Sequence, residues 1–418
     1  MKILIVGGGA AGMMAASTIV ESSHGTEVCI VEKNSMLGRK VLLSGGGRCN
    51  LTTVENDIRL LVKAYPRGER WLRYAMHEFS PGDVFEWFEK HGIPLKTEGR
   101  KVFPRSNQGT DVTDMFRRGF DKNNVEVLLD TSVEGIEKDG DGFVVTFGES
   151  EEGGEMETRY CDKLILTTGG HAYSHTGSTG DGYAFAKALG HSISPLAATL
   201  TSFTTTESWI TDLAGVSIEN AKLKLVGKEK NEFSGPFLFT HKGVSGPGIF
   251  ALSSLSAFEE CSAENPLKLF IDFVPVLNPQ ALSEEIVGKV KDHPKKTLLR
   301  IMNYYVPKSM LGVIFERLGL DGAKIVGEVA KKDLNRCVES LKNFEMTLGK
   351  RIPGAEIVTA GGVDLKEVDS KTMESKICPG LYFGGELLDV DGFTGGYNLQ
   401  IAWATGRLSG VSALGEDS

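Results

Sequence analysis

Residues 2–32, KILIVGGGAAGMMAASTIVESSHGTEVCIVE, decide the fold. Lys2 to Val6 is an apolar run of strand length, Gly7 to Gly12 a glycine turn, Met13 to Val20 a helical stretch, and Glu27 to Glu32 a second strand. Strand, turn, helix and strand within about 30 residues make a βαβ unit. In the turn, Gly7, Gly9 and Gly12 stand in the order GxGxxG around Ala10 and Ala11. The first glycine permits a tight turn, the second lets backbone N–H groups reach a diphosphate, and the third lets helix and strand pack closely. The helix start adds partial positive charge. Glu32 follows 20 residues beyond Gly12, where a carboxylate accepts hydrogen bonds from an unphosphorylated ribose. An ADP-containing dinucleotide is therefore expected, and NADP is disfavoured because Glu32 would repel a 2′-phosphate.

Working outward, 51 of the 418 residues are glycine, well above the usual share of about 7%. They cluster again at 44–50, 168–182 and 384–396. Several such clusters suit a long cofactor buried along its whole length, which favours FAD over a dissociable nicotinamide. The stretch Ser44-Gly45-Gly46-Gly47-Arg48-Cys49-Asn50 follows the ribose-binding strand directly, and its bare backbone would lie against a flat ring. Lys33 follows Glu32 directly, and Gly38, Arg39 and Lys40 come next, the two cations placed to neutralise a diphosphate. Thr168, Gly169 and Gly170 end a further strand at Lys163–Thr167.

The remaining chain reads as insertions into one discontinuous α/β domain. Residues 1–195 and 350–418 form the Rossmann-like domain, 196–275 a small β domain with Gly-Pro turns, and 276–349 a helical domain returning to the β domain. Residues 69–92 carry aromatic and aliphatic residues at helical spacing and read as a pair of core helices. A strand at Val125–Leu129 and another at Phe143–Phe147 frame a turn at Asp139–Gly142, and an acidic hairpin tip is expected from Glu149 to Glu157.

Composition narrows the function classes. The net charge of −9 and a pI near 5.5 provide no global field to hold nucleic acid, DNA included, or an anionic membrane by electrostatics alone, which leaves only a local patch. The six cysteines contain no CxxC pair, so neither a metal site nor a disulfide framework is expected. No run approaches the roughly 18 apolar residues of a membrane span, and the first apolar run meets its glycines too soon for a signal peptide. A cytoplasmic protein with reduced thiols is expected, its oligomeric state open.

The chain resembles the BaiN/RdsA-like (YhiN-type) flavoproteins, also described as NAD(FAD)-utilising dehydrogenases. The resemblance rests on Ile5–Gly12, Gly38–Lys40 with Ser44–Thr52, Val102–Ser106, Thr168–Gly170, Gly177–Tyr183, Thr240–Pro247 and Gly385–Gln400. It implies tightly bound FAD and the discontinuous architecture just described. Carried over position by position, Gly385 and Glu386 would hold the ribityl hydroxyls. Asn398, Leu399 and Gln400 would open the last helix with N–H groups toward the flavin N1/C2=O edge, and Val133 would touch adenine through its main chain. The resemblance further implies an oxidoreductase that reduces an activated C=C bond in a ring, including steroid-type enones and rRNA uridine. NAD(P)H would be a transient donor, since no second GxGxxG is present. Amine oxidation and an RNA-docking flavoprotein are the alternative readings.

No catalytic residue is assigned. Cys49 lacks the second cysteine of a disulfide reductase and reads as a packed thiol. His171, Tyr173, His175 and Tyr397 are possible proton donors for which surface or packing roles are favoured. Lys289, Lys291, Lys295, Lys296 and Arg300 read as a solvated face on which an RNA substrate would land.

Overall fold

The computed structural model describes residues 1–23, 25–148 and 157–415; the acidic tip expected at 149–157 lies outside them except for Glu157. The chain forms two compact units: Met1–Ala198 with Ile357–Ser418, and Thr199–Glu356.

The first unit is built on a parallel five-stranded sheet. Its strands are β1 (Lys2–Val6), β2 (Glu27–Val31), β3 (Glu126–Leu128), β4 (Lys163–Leu166) and β5 (Leu381–Phe383), in the order β5-β4-β1-β2-β3. Ile5 lies opposite Ile30 on one side and Ile165 on the other. Ile3 to Val6 are all buried, as an unbroken apolar run requires when both faces of a parallel sheet are covered. The chain runs outward from β1 through β2 to β3 on one side and then crosses back to β4 and β5 on the other, so the strand order reverses beside β1 and a crevice opens beyond the carboxyl ends of β1 and β4.

Helices from both ends of the chain cover this sheet. The first helix, Ala10–Ser22, is buried from Ala10 through Ile19. Against it lies the last helix, Tyr397–Ala413. A Cβ on Gly406 would fall 2.3 Å from the Ala11 carbonyl oxygen, and one on Gly410 would fall 2.7 Å from that of Ala15. The equal four-residue steps mean that the two helices run the same way. Tyr397 lies nine residues before Gly406 and Ala10 one before Ala11, so the last helix starts about 12 Å further out at 1.5 Å per residue.

The expected pair of core helices is present as Arg73–Glu78 and Pro81–Lys90. Ser80 opens the second of them with a capping box, exchanging hydrogen bonds with Asp83 and leaving Pro81 where its missing N–H costs nothing. Trp87 and Phe88 pack with Phe116 and Trp403 in one aromatic cluster.

Two expectations change. The run Val125–Leu129 supplies β3 of the central sheet, while the partner of Gly142–Phe147 across the Asp139–Gly142 turn is Val133–Asp139. In that partner strand only Ile136 is fully buried, so it carries no alternation to read. The helical stretch is also no separate unit. Strand Phe344–Arg351 pairs with Leu267–Asp272 and Phe203–Thr205, closing a six-stranded barrel. Ile286, Ile301, Ile314 and Val338, from the four helices between Pro279 and Lys342, share one hydrophobic cluster with the barrel interior. Among the described residues no helix is long and apolar enough to cross a membrane.

Candidate active site

The loops beyond β1, β2, β4 and β5 meet at the crevice of the first unit. Gly7 sits at φ +105°, donating its N–H to the Val31 carbonyl at 2.8 Å. A Cβ there would lie 2.6 Å from the Thr167 carbonyl oxygen, and one on Gly12 would lie 2.0 Å from that of Gly7. These two glycines are demanded by the protein's own packing. Gly9 is different: its backbone is extended at φ −77°, ψ −169°, and a Cβ there would touch nothing within 4 Å. Gly9 caps the first helix without a side-chain hydrogen bond, so the first-turn N–H groups are not taken by a capping side chain.

Glu32 is buried, with 8% of its surface exposed. One carboxylate oxygen accepts from Gly8 N–H at 2.8 Å, and the other from Asn34 N–H at 2.9 Å and its side-chain amide at 2.6 Å. Three donors leave capacity for about one more on a carboxylate with four acceptor sites. The residue expected to meet a ribose thus also holds the glycine turn. Lys33 points to Asp181 at 2.7 Å and Thr179 at 2.5 Å, and Arg39 to the Asn34 side chain at 3.1 Å. Thr168, Gly169 and Gly170 follow the carboxyl end of β4, and a Cβ on Gly7 would lie 3.0 Å from the Thr168 Cα.

Gly38 N–H bonds the Gly8 carbonyl at 2.8 Å and lays the next segment on the first. Lys40 then pairs with Glu386 at 2.5 Å, and Glu386 also accepts Thr359 N–H at 2.9 Å. A side chain at Gly170 would strike that same carboxylate 2.8 Å away. Lys40, Gly170, Thr359 and Glu386, from four separate segments, are gathered around one charge-balanced pair.

The triple glycine carries three positive φ values in succession, at Gly45, Gly46 and Gly47, followed by Cys49 at φ +60°. A Cβ at Gly45 would hit the Phe103 ring at 2.8 Å, but at Gly46 and Gly47 nothing lies within 4 Å. Bare backbone therefore borders open space there. Ser44 bonds the Val41 carbonyl, Asn50 accepts Val102 N–H, and Arg48 is turned to Glu98 at 2.8 Å with its guanidinium 4.0 Å over Phe103. The bare main chain at Gly46 and Gly47 is thus left open to a ligand. Cys49 is fully buried, and burial pushes its thiol up to about 12 against a hydrogen bond from Ser44. It stays protonated and packed.

The last helix starts at Gly396 (φ +96°), again without a side-chain cap. A Cβ on Gly396 would fall 2.4 Å from the Thr52 carbonyl oxygen, so the glycine-rich stretch runs directly to this helix start. The Asn398 side chain closes on Gly392, accepting its N–H at 2.9 Å and donating to its carbonyl at 2.7 Å. Gln400 is buried, donating to the Phe79 carbonyl and accepting from Thr52. These side chains, with Leu399 between them, leave backbone N–H groups as the helix's available donors. Gly385 is fixed by its N–H to Thr405. Val133 opens the hairpin sheet opposite Phe147.

Sequence reasoning missed Asn34, Thr359, Tyr183 and Asp389. The Tyr183 hydroxyl and the Thr168 hydroxyl are buried with no hydrogen-bond partner among the described residues. Burial, then the carboxylates of Glu386 and Asp389, holds the Tyr183 phenol protonated. Asn34 takes its role from Glu32 two residues before it, whereas Thr359 meets Glu386, and Tyr183 meets Glu386 and Asp389, only through the fold. Among the described residues no group of three or more His, Cys, Asp or Glu is placed to hold a metal.

Open space at Gly9 and at Gly46–Gly47, with two uncapped helix starts offset by about 12 Å along the helix axes, fits an extended dinucleotide. Its diphosphate would rest on the first helix, its ribose at Glu32, its ribityl chain beside Glu386, and its ring along the triple glycine.

Known proteins resemble this chain over nearly its whole length. A family model described as the HI0933-like protein Rossmann domain matches residues 1–412. The 3-dehydro-bile acid delta(4,6)-reductase of Clostridium scindens is 30% identical over 417 residues, covering 99% of this chain and 98% of that one. A ribosomal RNA dihydrouridine synthase of Escherichia coli is 31% identical over 411 residues, 96% and 95% of the two chains. Among solved structures, 3-ketosteroid delta1-dehydrogenase from Sterolibacterium denitrificans covers 98% of each chain with a TM-score of 0.52 at 14% identity, a likeness of fold. A glycine-turn sheet of Rossmann type, matched from residue 1 to residue 412, makes this chain a member of the HI0933-like Rossmann-domain family.

Proposed function

We propose that the protein is an FAD-dependent oxidoreductase that saturates an activated C=C bond in a ring substrate. The observation that carries this reading is the open glycine backbone at Gly9 and Gly46–Gly47, in line with two uncapped helix starts. Bound FAD would supply two-electron chemistry, with hydride exchanged at its N5. The first helix contributes N–H donors and a positive dipole end to the diphosphate, and Glu32 accepts a ribose hydroxyl. Lys40 and Glu386 stay mutually neutralised, so the ribityl hydroxyls meet a carboxylate oriented by Thr359. The last helix aims its positive end at the far edge of the ring, which favours negative charge there and hence the reduced cofactor.

Two relatives support the C=C assignment by what their names state: one reduces a bile acid, and the other makes dihydrouridine, which is uridine with its ring double bond saturated. NAD(P)H is proposed as a visiting donor that leaves before the acceptor binds. Anaerobic mixing tests the whole reading: NAD(P)H should bleach the yellow protein, and a steroid enone or uridine-containing RNA should restore the colour. Oxygen uptake with amines and no reoxidation by either acceptor would overturn it in favour of an oxidase.

A further inference from the structure

The sequence offers His171, Tyr173, His175 and Tyr397 as proton donors, and the fold separates them. The first three lie on one loop after β4. Within it, Ala172 turns its carbonyl to the Lys40 ammonium at 3.5 Å, and the Thr176 carbonyl accepts the Asn34 amide at 3.1 Å. Lys40 belongs to the ion pair placed at the ribityl chain and Asn34 to the carboxylate placed at the ribose, so this loop spans the middle of the cofactor bed. It misses the ring. Of the four, Tyr397 stands at the ring end, as the first residue of the last helix. Tyr65 and Tyr183 offer no substitute, since the one is 1% exposed and the hydroxyl of the other is buried.

The Tyr397 ring is closely fixed. A Cβ on Gly392 would lie 2.8 Å from the Tyr397 Cβ, and one on Gly395 would lie 3.1 Å from its Cε2, so both glycines make room for it. Tyr65 meets it edge to face, with ring centres 5.9 Å apart and planes at 88°, and donates its hydroxyl to the Tyr397 carbonyl at 3.4 Å. The chain around the two tyrosines is clamped in turn. Arg67 grips the buried Asp391 with two nitrogens, and Phe393 N–H bonds the Ala64 carbonyl at 2.9 Å. The Tyr397 side chain is nevertheless only half-buried, and no group among the described residues takes its hydroxyl. Such a ring presents a pre-set donor.

We propose that Tyr397 is the catalytic acid of the C=C reduction, giving its phenolic proton to the α-carbon of an enone-type ring. The proposal rests on the reading of the protein as a C=C reductase. Hydride from reduced FAD forms the new C–H bond at the β-carbon, the π pair moves to the α-carbon, and the second C–H bond forms there as the Tyr397 O–H bond breaks. Two electrons pass from cofactor to substrate, and water re-protonates the phenolate. The phenolate arises at the start of a 17-residue helix, where the unpaired N–H groups favour negative charge.

The test compares flavin-loaded wild type with Tyr397→Phe, which keeps every contact just described. Each is reduced with dithionite in the absence of oxygen and mixed in stopped flow with progesterone, a steroid enone, or with a uridine-containing RNA, while flavin absorbance is followed. With whichever acceptor re-oxidises wild type, the variant should re-oxidise about a hundred- to ten-thousandfold more slowly. Ferricyanide takes electrons without protonating carbon, so it should re-oxidise both at the same rate. Apo-protein melting, the Kd for FAD and the change in the oxidised flavin spectrum on acceptor binding should match wild type, whereas loss of a packing role would move them. Re-oxidation of the variant by the acceptor at the wild-type rate would overturn the proposal and leave the reductase reading standing. Equal slowing with ferricyanide would do the same. Wild type that neither acceptor re-oxidises would overturn both.

Discussion

Replacing Gly9 by alanine separates what the first turn owes to folding from what it owes to a ligand. The backbone at Gly9 is extended and its Cβ position is empty to 4 Å, so alanine enters without strain. The apo-protein should be unchanged or more stable by about 0.5 kcal/mol, because the unfolded chain loses freedom. The new methyl group stands where a phosphate would approach the first-turn N–H groups. Losing one charge-assisted hydrogen bond there costs about 1.5–3 kcal/mol, which is roughly 10- to 150-fold in Kd. Gly12→Ala is the opposite case, with its Cβ 2.0 Å from the Gly7 carbonyl oxygen and 2.7 Å from the Thr167 hydroxyl. Such overpacking should cost the apo-protein about 1–3 kcal/mol or more. Thermal unfolding of both apo-variants, with FAD titrated by flavin fluorescence, reads the two effects apart. A Gly9→Ala protein that binds FAD like wild type, or that melts as early as Gly12→Ala, would refute the placement of the diphosphate.

Three further outcomes follow from single contacts. Arg48→Met removes an exposed ion pair with Glu98 and a cation over Phe103, together worth about 1 kcal/mol; the melting temperature should barely move while FAD dissociates several-fold faster in stopped-flow chase, because the glycine strap is unpinned. Gln400→Ala strands the buried Thr52 hydroxyl and Phe79 carbonyl, and calorimetry should show the first unit destabilised by about 2–4 kcal/mol. His191 is buried 2.8 Å from Ser375 Oγ and 3.2 Å from Glu367, and burial lowers its affinity for a proton despite that carboxylate. The unfolded chain therefore binds the proton first, so stability should fall as pH drops below about 6.5. His191→Gln should flatten that slope in melts recorded from pH 5 to 8, and an unchanged slope would count against the assignment.

Much of the first unit was legible because its signals are local. The apolar run Ile3–Val6, the glycine turn and Glu32 lie within one short unit, and the task of each residue shows in its type. Strand Val133–Asp139 was not legible, since a single buried Ile136 sets no period. Closure of the barrel was hidden for another reason: Leu267–Asp272 pairs with Phe344–Arg351 across four intervening helices, and no local pattern encodes so distant a partner. In the site, glycines announced where backbone is left bare, but not why. The clashes at Gly7 and Gly12 and the space at Gly9 divide one motif into two purposes that the letters alone do not distinguish. Lys40 and Glu386 each read as ligand contacts, and their mutual pairing depends on the fold having brought them together.

The contact of Gly406 and Gly410 with Ala11 and Ala15 has a bearing on how the protein matures. The first helix leaves the ribosome long before the helix that covers its flank and carries the second anchoring terminus. A nascent chain halted before Tyr397 would display a smooth small-residue groove and half a cofactor bed, a form suited to chaperone capture and unable to retain FAD. Acquisition of the chromophore would then report that synthesis had passed this helix, and yellow colour would mark the chains that carry it.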